Sequence, residues 1–64
     1  MAKQQQPELG DEVRVVAPDT PDDGREGLVF AVEDTAVHVI FTDEGTNVFN
    51  MSELNILKKS PVTL

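Results

Sequence analysis

Four pairs of adjacent carboxylates punctuate this chain: Asp11-Glu12, Asp22-Asp23, Glu33-Asp34 and Asp43-Glu44. Two carboxylates held together can work as an acid–base pair when burial raises the pKa of one of them. Each of these pairs falls in or beside a predicted turn, where water keeps both groups ionised, so they read as loop residues rather than a catalytic dyad. His38, the single histidine, has no Cys, Ser or paired carboxylate at relay spacing. Ser52 lacks the glycine-flanked surroundings of a nucleophile elbow and is better explained as the cap of a short turn. The segment Asp19-Thr20-Pro21-Asp22-Asp23-Gly24 looks like a calcium loop only at first sight, since it lacks the alternating ligand spacing and the distant bidentate Glu. With no Cys there is no thiolate ligand, nucleophile or disulfide, and one His excludes a multi-His metal centre. The chain therefore reads as a non-enzyme, with no catalytic residue, no metal and no cofactor.

What the carboxylates do supply is charge. Twelve acidic residues against five basic ones give −7 at pH 7. Between positions 8 and 53 all of these carboxylates are met by only Arg14 and Arg25. A nucleic-acid binder needs Lys and Arg to neutralise phosphates, and that contribution dominates affinity. Exposed aromatics for base stacking are scarce too, with three Phe, no Tyr and no Trp. Direct nucleic-acid binding is excluded on both counts.

The elements that must carry these residues are short strands. Sixty-four residues allow one small domain, which hides only about 60% of its unfolded surface. Residues 1–8, with three consecutive Gln and a Pro, read as a disordered tail, and residues 60–64 as a second tail; the domain is 9–59. Val13-Arg14-Val15-Val16-Ala17 is β-rich and closed by Pro18, and Leu28-Val29-Phe30-Ala31-Val32 follows Gly27. Val37-His38-Val39-Ile40-Phe41 alternates, which sends His38 and Ile40 to the face opposite Val37, Val39 and Phe41. Gly45 suits the positive φ of a turn over 42–47. Val48-Phe49-Asn50, a single 3₁₀ turn at Ser52-Glu53-Leu54 and Asn55-Ile56-Leu57-Lys58 complete the series. Five strands at this spacing, with one long connection over 18–26, predict a small closed all-β barrel. The expected core is Val13, Val15, Val29, Val32, Val37, Val39, Phe41, Phe49, Leu54 and Ile56. Val16, Phe30 and Ile40 fall on the opposite faces. No apolar run exceeds five residues, far short of the ~20 needed to span a bilayer, and no signal segment is visible, so a cytoplasmic setting away from membranes is expected.

The order Gly10-Asp11-Glu12-Val13-Arg14-Val15, then Gly24-Arg25-Glu26-Gly27-Leu28-Val29, then Val37-His38-Val39-Ile40-Phe41, then Glu53-Leu54 resembles small SH3-like barrels of the KOW type over roughly residues 10–58. The Asp19-Thr20-Pro21 run before the glycines is similar to uncharacterised bacterial and phage families of that shape. The resemblance implies a five-stranded SH3-like barrel with at most one 3₁₀ turn. For function it implies a choice among RNA binders, peptide readers and subunits of larger assemblies, which fold analogy cannot make. The residues disfavour the RNA binders, and they equally disfavour a docking surface for acidic ferredoxins.

The expectation that follows is a protein-binding or accessory module, monomeric when free. It would engage another protein, one with a basic surface, through an acidic face and a small apolar patch. The alternative is an acidic nucleic-acid mimic that inhibits a DNA- or RNA-handling enzyme, of the phage anti-restriction or anti-CRISPR type. The expected contact residues are Asp19, Asp22, Asp23, Glu26, Phe30, Glu33, Asp34, His38, Ile40, Asp43 and Glu44. The loop over 19–26 is the expected recognition segment, and Met51 and Val62-Thr63-Leu64 are further apolar docking candidates.

Overall fold

The structure, a computed structural model, describes residues 6–60. It is all-β: strands β1 (Glu12–Val15), β2 (Glu26–Glu33), β3 (Ala36–Phe41), β4 (Thr46–Asn50) and β5 (Leu54–Lys58), with one 3₁₀ turn, Met51–Glu53, before the last. All pairings are antiparallel, in the order β4-β3-β2-β1-β5. Flat, such a sheet would set its edge strands about 19 Å apart, four spacings of ~4.8 Å. Yet β4 and β5 are joined by three residues, which reach at most about 14 Å. The sheet must therefore curl, and its two edges approach each other across the 3₁₀ turn. The Val16 N–H donates to the Glu53 carbonyl at 2.7 Å and ties β1's end to that turn.

Two register shifts help the sheet bend. One lies in β2, where Val29 faces Val39 and Ala31 faces His38, so Phe30 is the extra residue; the other lies where β5 meets β1, with Leu57 extra. At the β2–β3 hairpin Asp34 takes φ 56°, which suits the primed turns that match strand twist. Gly27 sits where β2 passes β3 so closely that a methyl there would drive into the Ile40 carbonyl oxygen. Inside the curl lie Val13, Val15, Ala17, Val29, Val37, Val39, Phe41 and Phe49, with Met51, Leu54 and Ile56 packed half-buried against them.

Several expectations are corrected. Val32 is not core but 36% exposed. The bulge at Phe30 returns it to the inner side opposite Val37, but it lies at the open hairpin end, lining a shallow depression with Pro7, Leu9 and Met51. Ala17, unforeseen, is buried. The first strand stops at Val15 because the chain turns away: Ala17 N–H donates to the Asp23 carboxylate rather than to a strand. The 3₁₀ turn begins one residue early and is capped by Asn50, whose N–H donates to Glu53, rather than by Ser52. Next to the expected domain limits, Pro7 is buried and the Ser60 N–H donates to Asp11. Residues 62–64 lie outside the described residues.

Candidate functional site

Strand parity builds one site directly. Since Val29 and Val39 face inward, Leu28 and Ile40, which are register partners, face outward. One row along, Phe30 and Ala31 stand against His38, and His38 pairs in turn with Val48 of β4. The Phe30 and His38 rings meet edge-on, with centroids 5.8 Å apart. Leu28, Phe30, Ile40 and Val48 are each 46–49% exposed. They form a contiguous apolar centre across three strands. Its border is polar: Glu12 faces Leu28, Thr46 faces Ile40, and Glu33, whose Oε1 lies 3.4 Å from His38 Nε2, closes the hairpin end. Glu26 borders the other end, held by Arg14 at 2.8 Å.

A second cluster lies in the loops. Arg25 donates to Asp22 and Asp43, each at 2.8 Å, and to the Glu44 carbonyl at 2.7 Å, while its guanidinium sits 3.7 Å from the centre of the Phe41 ring. Asn47 adds a donor to Asp22. The long loop over 16–25 is thereby fastened to the β3–β4 turn. It is also braced internally: Asp23 accepts from the Ala17 N–H, Gly24 N–H donates to the Val15 carbonyl, and Thr20 binds the Ala17 carbonyl through both N–H and hydroxyl. Gly24 takes φ 87° to make this turn. Hydrogen bonds from Arg25 first, then from Asn47, hold the Asp22 carboxyl below its ordinary 3.8. Arg25 and the Glu44 N–H lower Asp43 likewise.

A third carboxylate is the most enclosed. Asp11 has no exposed surface and accepts from the Glu8 N–H, the Ser60 N–H and the Lys59 ammonium, at 2.8–2.9 Å. Burial pushes its pKa up, but these donors and the Lys59 charge outweigh burial and hold it below 3.8. It joins the two ends of the described chain.

The sequence-expected contact residues therefore divide. Phe30, His38, Ile40, Glu26 and Glu33 converge on the outer face of β2–β4. Asp22, Asp23 and Asp43 are spent inside the loop cluster, and the Glu44 backbone belongs to it as well. Asp19 is exposed on the long loop, and Asp34 forms the tip of the β2–β3 hairpin. Met51 is half-buried against the core. Leu28 and Val48 belong to the outer face and were missed, although alternation with buried Val29 and Phe49 assigns them. Among the described residues no three His, Asp or Glu side chains are grouped to hold a metal ion, and no helix is long and apolar enough to cross a membrane. No family model matches the chain, and no curated protein matches it in sequence.

Proposed function

We propose that this chain is a non-enzymatic binding or accessory module of SH3-like type that engages another protein through the outer face of β2–β4. The observation that carries the reading is the contiguous set Leu28, Phe30, Ile40 and Val48, each about half exposed and held on paired strands. Apolar side chains clustered this way are a usual mark of an interaction surface, because burying them releases ordered water at about 25 cal/mol per Å². The strand order and the 3₁₀ turn before the last strand support the KOW-type shape, and a cytoplasmic setting is part of the same proposal. The carboxylates play a narrower part than their number suggests. In the loops Asp22 and Asp43 are held by Arg25 and Asp23 by the Ala17 N–H, and the carboxylates left to meet a partner are chiefly Glu12, Glu33 and Asp34 around the patch and Asp19 and Glu44 in the loops.

The test is affinity capture from lysate of the source organism on the wild-type chain, washed at low and high salt, beside a Phe30→Ala column. The reading expects a stoichiometric protein that survives high salt and is lost on the Phe30→Ala column. A nucleic-acid enzyme released by salt and displaced by DNA or RNA, with Phe30→Ala behaving as wild type, would overturn it in favour of nucleic-acid mimicry.

A further inference from the structure

The outer face has a size, a border and an edge, and together they restrict what can lie on it. Its four large side chains, each about half exposed, amount to roughly 300–500 Å², taking ~150–250 Å² for a whole large side chain. A standard interface of ~800 Å² per partner is itself little more than half apolar, so this centre with its polar border sits at the small end of that range. The face is about 10 Å wide, from β2 to β4 at ~4.8 Å per strand, and about 7 Å along the strands. Two turns of an α-helix, about 11 Å long and 10 Å across, have this footprint.

Strand addition at the neighbouring edge is disfavoured. Along β4, the outward N–H groups of Val48 and Asn50 are already taken, by the Asn47 side-chain amide Oδ1 at 2.8 Å and by a Glu53 carboxylate oxygen at 2.9 Å. Side chains that cap an edge in this way remove the donors an incoming strand would use. A second copy fits no better, because two chains of net charge −7 repel each other on approach. The border instead complements cations. Glu12 lies on one side, with Lys58 beyond it on β5; Glu33 and Asp34 lie at the hairpin end; Glu26 is matched by Arg14.

We infer that the occupant of this face is a short amphipathic helix of a partner protein, with apolar anchors at i, i+3, i+4 and i+7 flanked by Lys or Arg. The helix lies across β2–β4, with its anchors over Leu28, Phe30, Ile40 and Val48 and its cations toward Glu12 and Glu33. This inference rests on the module reading above and specifies its partner.

The probe is a synthetic 14-residue stapled helix carrying Leu at those four positions and Lys beside them, titrated into the ¹⁵N-labelled full chain. Its control is a scrambled peptide of the same composition. The expected result is amide shifts confined to residues 28–31, 38–40 and 46–48, with the scrambled peptide about tenfold weaker. Ile40→Asp weakens the ordered peptide by about tenfold or more, and Glu12→Gln with Glu33→Gln flattens its salt dependence. Equal binding of both peptides, or shifts centred on the loop over 16–25, overturns the inference. If the ordered peptide fails while Ile40→Asp still abolishes capture of the natural partner, the helix falls and the module reading stands. If capture survives Ile40→Asp, the module reading falls with it.

Discussion

The outer face of β2–β4 and the Arg25 cluster are opposites. The first is apolar and open, with Leu28, Phe30, Ile40 and Val48 meeting water. The second is charged and closed, with Asp22 and Asp43 bound to one arginine that also covers the Phe41 ring. Ordinary surface logic would make the charges the recognition element and the apolar residues the structural one. Here the charges fasten a loop to a turn, and the apolar residues are left free. A carboxylate counted along a sequence is thus not a carboxylate available to a partner. What decides is whether a cation or a backbone N–H within the fold has already taken it.

The comparison can be broken first at its structural side. Asp11→Ala is expected to cost the most, about 1–3 kcal/mol, because it removes the buried acceptor shared by the Glu8 N–H, the Ser60 N–H and the Lys59 ammonium and leaves a gap between the two ends of the described chain. For a domain this small that is a large share of total stability, and denaturant titration will read it as a lower midpoint. Next comes Arg25→Ala, which loosens loop and turn together and lowers Tm by several degrees. Arg25→Lys does not restore it, since an ammonium cannot fork to Asp22 and Asp43 while stacking on Phe41.

Acid titration sharpens the same contrast. The carboxyls of Asp11, Asp22 and Asp43 are held below 3.8 in the folded chain. On acidification the unfolded chain takes up protons first, so their stabilisation is complete above about pH 4 and is lost as pH falls through the lowered folded values. Lys59 is held above 10.5, first by its hydrogen bond to Asp11. Its contribution is complete below that value and is lost as pH rises through the raised one. Arg25→Ala should flatten the acid limb of the stability curve, because Asp22 and Asp43 lose their principal donor, while Asp11→Ala removes a different part of it. An acid limb identical in wild type and Arg25→Ala would deny the cluster its structural role.

The smallest effects on stability belong to the outer face. Phe30→Ser and Ile40→Ser should each change unfolding free energy by less than about 1 kcal/mol, since both side chains already meet water. A larger loss would mean that this face is part of the core.

The strands were legible because Val37, Val39 and Phe41 alternate with His38 and Ile40, and because Gly24 and Gly45 mark turns that need positive φ. Phe30 and Ile40 stand on the outer face as parity requires. The bulge at Phe30 was not legible, since nothing local distinguishes an extra residue from a continuing strand. That one insertion sets Ala31 on the same face as Phe30 and turns Val32 inward, where the hairpin end leaves it partly exposed. The pairing of acids was equally hidden: Asp22 and Asp43 are twenty-one positions apart and meet only because Arg25 lies between their loops. Leu28 and Val48 could have been read from alternation, but attention to charge passed over them.

The most direct measurement compares two variants against the partner captured by wild type. Ile40→Asp alters the outer face, and Asp19→Asn with Glu44→Gln removes loop charge without touching a side-chain ion pair. Affinity, read by calorimetry on proteins shown to be folded, should fall about tenfold or more for Ile40→Asp and stay within about twofold for the loop variant. Unchanged affinity for Ile40→Asp together with a steep loss for the loop variant would contradict the account and return recognition to the acidic loops.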